Sequence, residues 1–242
     1  MINKKQKISL IVPSYNEEKG IEDTLVNLSS SLEKNKIDYE IILVDDQSTD
    51  KTIEIVKRLA SKNKRIKIIV RHKNPGFGFS LSDGSKIASG ELVCWVMGDS
   101  SDDFEAIPKM INKINNGYDM VIGSRNIKGG SRGDQGKLKA IGSTQYSALA
   151  KFLFRLPVYD ITNAFRTFRK EIINKVSLEN NNFAISPEFA LRAHVAGYKR
   201  TEIPVTYRDR KVREAKTKLF RMGLKYYLLL IKYWFQNLFH RF

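Results

Sequence analysis

Over the first half of the chain, short apolar runs alternate with segments whose apolar residues recur at helical spacing. This alternation narrows the choice of fold more than any other feature. Ile8 to Val12 is apolar, partly β-branched, and ends at Pro13. In Glu17 to Leu32, the residues Ile21, Leu25, Leu28 and Leu32 fall on one helical face. Tyr39 to Val44, Arg65 to Val70, Leu92 to Val96 and Met120 to Ile122 read as further strands. Thr52 to Leu59, Gly78 to Ala88 and Phe104 to Ile114 read as helices between them. Such an order implies βαβ units: an α/β fold with a mostly parallel central sheet and helices on both faces. Ligands of such sheets bind beyond the carboxyl ends of the strands. Here the strand ends carry SYNEE, DDQSTD and GDSSDD.

The second half is less regular. KGGSRGDQG, Lys128 to Gly136, is a polar glycine-rich loop, and Leu138 to Leu156 is a predicted helix. Ala164 to Phe168 and Ile203 to Tyr207 read as strands. Pro187 to Ala196 reads as a short helix with Ser186 as its cap. A basic connector, Arg208 to Lys218, leads to an aromatic and aliphatic terminus, Leu219 to Phe242. On a helix, Arg221, Lys225 and Lys232 fall within a stripe roughly 40° wide. Two placements fit that pattern. In one, the helix packs on the domain with its cations in water. In the other it lies in a membrane interface, with Tyr226, Tyr227, Tyr233 and Trp234 near headgroup depth. The chain accordingly divides into a domain over 1–216 and an amphipathic helix over 217–242.

Charge separates the classes of partner. The 242 residues hold 42 Lys+Arg against 26 Asp+Glu, a formal net charge of +16. That excess suits nucleic acid, an anionic membrane face or phosphorylated substrates. Nucleic acid is disfavoured, because no recognised motif is present and the aromatic residues concentrate in the terminus. Cys94 is the one cysteine, so neither an intramolecular disulfide nor a zinc-type cysteine pair can form. No apolar run reaches the roughly 18 residues of a membrane-spanning helix, and the N-terminal apolar stretch is too short for a signal peptide. A cytoplasmic location follows as the expectation. His72, His194 and His240 are scattered and form no triad.

Each polar strand end alone is also what helix capping and solvated turns produce. Three of them at successive strand ends point to a ligand rim. Tyr15 offers an aromatic ring, while Glu17, Asp45 and Asp46 offer acceptors for base and ribose. Carboxylates alone would repel a diphosphate. A hard divalent cation held at Asp99, such as Mg²⁺ or Mn²⁺, reverses that sign.

IVPSYNEE, then IILVDDQSTDKT, then ASGELVCWVMGDSSDD resembles the layout of the inverting family 2 glycosyltransferases, which have a nucleotide-diphospho-sugar-binding (GT-A, Rossmann-like) fold. RHKNPGFGFSLSDGSKIASGE is similar to that family's N-x-G-x-G stretch. GSRNIKGG, DITNAFRTFRKE and SPEFALRAHVAGYKRTEIPVTYRDRKVREAK resemble the branch that makes dolichyl- or polyprenyl-phosphate sugars. The resemblance covers about Ile8 to Lys216.

It implies transfer of a hexose from a GDP- or UDP-sugar to a polyprenyl phosphate, at the cytoplasmic face of an anionic membrane. Pro13, Tyr15 and Glu17 would cradle the nucleoside, and Asp46, supported by Asp45, would contact base or ribose. Asp99 matches the second aspartate of the family's D-x-D metal motif, whereas Met97 stands at the first. Asp102 or Asp103 would then supply the missing ligand, or the metal is held more weakly. Arg125, with Lys139 and Ser143, would hold the acceptor phosphate. Arg210 and Lys216 match the basic ends of the R-x-x-G-x-S-K loop over the donor diphosphate, although Arg213 and Ala215 replace its glycine and serine. Asp99, Arg125 and Arg210 are thus the expected catalytic groups. A lipid phosphate is already anionic and needs no strong general base.

Two other functions compete. A saccharide-extending glycosyltransferase would need a carboxylate base, and the processive Q-x-x-R-W motif is absent. A non-catalytic sugar-nucleotide-binding subunit is motivated by Met97. Glu188 fits either a helix N-terminus or a border of the active site. Arg166 could pair with Asp160, and Cys94 reads as an inert core residue.

Overall fold

A computed structural model describes residues 6–133, 135–208 and 219–238; Arg210, Lys216 and His240 lie outside them. The alternation in the sequence appears as β1 (Ile8–Ser14), α1 (Ile21–Lys34), β2 (Tyr39–Asp45), α2 (Thr52–Lys62), β3 (Ile66–Val70), α3 (Phe77–Ile87) and β4 (Leu92–Trp95). After a 3₁₀ turn at Phe104–Ala106 come α4 (Ile107–Asn115), β5 (Met120–Ser124) and α5 (Lys137–Phe154). They are followed by β6 (Arg166–Arg169), α6 (Lys170–Lys175), α7 (Ile185–Val195), β7 (Arg200–Pro204) and α8 (Leu219–Leu238).

The strands form one sheet in the order β3-β2-β1-β4-β6-β5-β7. β6 runs antiparallel to β4 and β5, and the other pairings are parallel. Every residue of β1 and β2 is buried, as expected of parallel strands covered on both faces. The pleat sends Ile8, Leu10 and Val12 into one core layer, with α1, α2 and α4, and Ile11 into the other, with α3 and α5 to α8. Trp95 anchors the second layer, its ring against Phe168 and Phe189 at 5.4 and 5.0 Å.

The chain leaves β1 toward β2 and β3 on one side, then returns to pair β4 on the other. Such a switch point opens a crevice at the carboxyl ends of β1 and β4. Pro13–Glu17 and Met97–Asp103 flank it.

Three details differ from the sequence reading. Ser186 is not the cap of α7: Ala184 holds that position and Ser186 is buried inside the first turn. The short helix α6 was not expected. The terminal helix α8 packs on the domain through Leu229, Leu230 and Tyr233, yet leaves Tyr227, Leu228, Ile231 and Phe235 exposed. No helix among the described residues is long and apolar enough to cross a membrane.

Candidate active site

The loops after β1 and β2 are laced together by their own polar groups. The Asn16 amide donates to Ser48 Oγ (2.9 Å), the Glu17 amide to Thr52 Oγ1 (2.8 Å) and the Glu18 amide to Asp50 Oδ2 (3.0 Å). In return, Asn16 Oδ1 accepts the Thr49 amide and Glu18 Oε2 the Lys51 amide. Ser48, Asp50 and Thr52 are therefore spent on capping and stitching. Tyr15 is left 58% exposed at the rim, with Pro13 buried below it.

The two expected acidic acceptors differ. Asp46 is fully engaged: Oδ1 accepts Arg71 Nη1 and Oδ2 accepts the Gly76 amide, both at 2.6 Å. Asp45 is buried and, among the described residues, accepts only the Ser48 amide on Oδ2 (3.0 Å) and leaves Oδ1 without a hydrogen-bond partner. Buried polar atoms are nearly always satisfied, so an orphan oxygen at a strand end marks a place for a ligand donor. Asp45, rather than Asp46, carries the oxygen without a partner among the described residues.

Beyond β4, Asp102 folds back so that its Oδ2 accepts the Met97 amide at 2.7 Å. Its carboxyl thus lies against the backbone of the residue that replaces the family's first aspartate. Burial pushes the Asp102 pKa up to about 7; the like charges of Asp99 and Asp103 add to the rise, and the Met97 amide and Arg125 oppose it. Asp99 is half-buried and accepts the Ser101 amide on Oδ1 (3.1 Å). Among the described residues no three His, Cys, Asp or Glu side chains form a metal-holding group. The donor set fits a Mg²⁺ or Mn²⁺ bound by one or two carboxylates and completed by substrate phosphates, rather than an all-protein cage.

Past β5 the charge changes sign. Arg125 forks onto Asp160, Nε to Oδ2 at 2.7 Å and Nη2 to Oδ1 at 2.9 Å, and its amide also donates to Oδ2. The pair is almost wholly buried. Burial alone would raise the Asp160 pKa, but the bonds and charge of Arg125 outweigh it and hold that carboxyl low. The sequence reading missed Arg132. Its guanidinium is held by two neutral oxygens, Asn126 Oδ1 (2.8 Å from Nη2) and Gln135 Oε1 (2.6 Å from Nη1). Among the described residues no carboxylate pairs with it. Burial and the Arg125 charge push its pKa down, the response of a cation lacking a counterion. Its position in the glycine-rich loop, in SRGDQ, is the one signal that could have flagged it.

Lys139 is exposed and Ser143 half-buried on the first two turns of α5, which starts just after that loop. Arg166 does not pair with Asp160. Fully buried, it donates to the carbonyls of Ser186, Ile161 and Asn163, lies over the Trp95 ring, and has its pKa lowered to about 9 by burial. Burial pushes the Cys94 thiol up to about 12, as befits an inert core residue. Glu188 is fully buried and saturated with donors, which excludes it as a general base in this geometry.

The chain resembles known proteins in sequence and in shape. It is 34% identical over 215 residues to the dolichol-phosphate mannosyltransferase of Pyrococcus furiosus, a match covering 88% of this chain and 59% of that protein. It is 27% identical over 203 residues to the dolichyl-phosphate hexose transferase of Haloferax volcanii, covering 84% and 83% respectively. Glucosyl-3-phosphoglycerate synthase of Mycobacterium tuberculosis, solved with UDP, superposes with a TM-score of 0.75 over 95% of this chain and 80% of that one, at 16% identity. The same enzyme solved with Mn²⁺, UDP and glucosyl-3-phosphoglycerate gives 0.74 over 94% and 80%, also at 16% identity. At that identity the likeness shows a shared fold. The sequence profile of glycosyl transferase family 2 matches residues 9–177. The chain belongs to glycosyl transferase family 2.

Proposed function

We propose that this chain transfers a hexose from a nucleoside-diphosphate sugar to a polyprenyl phosphate at a membrane surface. The observation that carries the reading is the change of charge along one edge of the sheet. Acidic ends at β1, β2 and β4 give way, past β5, to two guanidiniums, Arg125 paired with the buried Asp160 and Arg132 held by neutral oxygens. The first half suits a donor bound through a cation, and the second suits an anionic acceptor.

Tyr15 and Pro13 form the floor and wall for the nucleoside, with Glu17 beside them. Asp45 Oδ1 takes a donor from base or ribose, and Asp46 holds the Gly76 turn. Asp99, with Asp102 or Asp103 beside it, would hold a Mg²⁺ or Mn²⁺ that offsets charge on the leaving diphosphate. Arg210 and Lys216, outside the described residues, are assigned to the same diphosphate. Arg125 and Arg132, with Lys139 and Ser143, orient the acceptor phosphate and reduce its repulsion from the donor. Glu188 is saturated with donors and is not free to act as a base, which suits an acceptor already ionised better than a sugar hydroxyl.

The membrane reading draws on two helices. The outer face of α8 exposes Leu228, Ile231 and Phe235, and α5, packed beside it, exposes Leu138 (84%) and Phe152 (80%). With the net charge of +16, these suit the interface of an anionic bilayer. Residues 1–216 are then the catalytic domain and 217–242 a C-terminal segment whose helix α8 both packs on that domain and faces lipid.

The deciding experiment supplies radiolabelled GDP-mannose and UDP-glucose in turn, with Mg²⁺ or Mn²⁺, to the protein on vesicles containing polyprenyl phosphate. Label should pass into the lipid extract from one donor. Label entering only a saccharide acceptor would overturn the acceptor assignment. Nucleotide binding without transfer or hydrolysis would make the chain a binding subunit.

A further inference from the structure

The segment between α6 and α7, residues 177–183, forms a strap between the donor rim and the terminal helix. On one side it presses on the glycine turn before α3. The Gly78 amide donates to the Asn181 carbonyl at 2.9 Å, and Phe183 stacks on Phe77 at 4.3 Å. A Cβ at Gly76 would stand 2.4 Å from the Asn181 oxygen, and one at Gly78 2.1 Å from the Asn180 oxygen. Only glycine allows this approach. The same turn offers the Gly76 amide to Asp46.

On its other side the strap hangs from Glu188, a carboxylate with no exposed surface. Oε1 accepts the Glu179 amide (2.8 Å), and Oε2 accepts the amide and side chain of Asn180 (2.9 and 2.8 Å). Arg192 Nε reaches Oε1 at 3.2 Å, and Tyr233 Oη, from α8, donates to Oε1 at 2.7 Å. Glu179 in the strap also takes Lys232 Nζ of α8 at 2.8 Å. An unbroken run of bonds thus leads from Tyr233 through Glu188 and the strap to Gly76 and Asp46.

We propose that Glu188 is a positioning residue for the nucleotide, and that Tyr233 sets it, so that seating of α8 and binding at the donor rim are coupled. This rests on the donor assignment above. Glu188 touches neither substrate; it fixes the strap that fixes the turn. Coupling of this kind is reciprocal: nucleotide should steady α8 as much as α8 steadies the nucleotide site.

Tyr233→Phe deletes one hydroxyl and leaves the packing of the ring. Two readouts on the full chain decide. Hydrogen exchange of residues 74–82 and 177–183, without ligand, should quicken in Tyr233→Phe and in Glu188→Gln, whereas Leu228→Ala, on the exposed face of α8, should leave it unchanged. Calorimetric titration with GDP and UDP in Mg²⁺ should show affinity for the preferred nucleotide falling about tenfold, a typical coupling; as a control, steady-state kinetics should leave the KM for lipid phosphate unmoved. Unchanged exchange at 74–82 in Tyr233→Phe, or equal quickening in Leu228→Ala, would overturn the coupling and leave the proposed function standing. A wild-type chain that takes neither nucleotide would overturn the donor assignment itself, and the coupling with it.

Discussion

Two substitutions that break the same ion pair should affect catalysis in opposite directions. Asp160 is fully buried, and its two oxygens receive Arg125 Nε, Nη2 and backbone amide, together with Thr162 Oγ1. Asp160→Asn leaves a buried guanidinium without its counterion, and Arg125→Gln leaves a buried carboxylate without its cation. Either loss costs about 3–5 kcal/mol of stability, a large share of the roughly 5–15 kcal/mol typical of a domain. At about 2–4 °C per kcal/mol for a chain of this size, both variants should melt about 6–20 °C lower. Their effect on the acceptor should differ in sign. Without the Asp160 charge, Arg125 and Arg132 face the phosphate uncompensated, so the KM for polyprenyl phosphate should hold or fall. Without Arg125, one charged hydrogen bond of about 1.5–3 kcal/mol is lost, and that KM should rise roughly 10- to 100-fold. Melting curves and steady-state kinetics below both melting points test this. Equal loss of acceptor affinity in the two variants would refute it, and would reduce Arg125 to a structural partner of Asp160.

Other outcomes follow from single contacts. Asp99→Ala should abolish transfer and leave the melting temperature within a few degrees, since among the described residues Asp99 accepts only the Ser101 amide; near-normal turnover would remove Asp99 from the mechanism. Replacing Leu228, Ile231 and Phe235 together by serine should release the protein from anionic liposomes in sedimentation without unfolding it. Cutting after Lys218 is a poorer test, because it also removes buried Leu229, Leu230 and Tyr233. Glu40 gives a pH prediction. Burial raises its pKa, but bonds from Lys67, Ser9 and Ser89 outweigh that and hold it well below the ordinary 4.5. Its contribution is therefore present above about pH 4.5 and lost as pH falls toward the folded-state value. Glu40→Gln should be less stable at pH 7, by about 1–3 kcal/mol, and should lose less on acidification than the wild type; parallel curves would contradict this.

What the sequence made legible was local or repetitive. Strands β1 and β2 stand out because both faces are buried, so their residues are mostly apolar, with Ser9 and Glu40 as the interior exceptions. The rim of β1, β2 and β4 was readable because the polar residues follow each strand directly. The reversed direction of β6 was not, since no residue in Arg166–Arg169 encodes which way the chain enters the sheet. Helix α6 was hidden by its six residues, too few to show a period. Ser186 followed by Pro187 imitates a cap, and only packing shows the residue buried inside the first turn. The charge state of the acceptor side depends on Asp160, far along the chain from Arg125 and Arg132. The role of Glu188 depends on Tyr233, 45 residues away. Sequence spacing carries no record of either partnership.

The proposed cation site offers the sharpest test of how a nucleotide donor would be held. With no protein cage for a cation among the described residues, Mn²⁺ should bind only together with a nucleoside diphosphate. Electron paramagnetic resonance of free Mn²⁺ measures this directly. The free-ion signal should be unchanged by the protein alone, fall when GDP or UDP is added beyond what the nucleotide itself binds, and recover in Asp99→Ala. Tight Mn²⁺ binding without nucleotide, or nucleotide affinity unaltered by EDTA, would contradict the picture of a diphosphate gripped through a bridging ion.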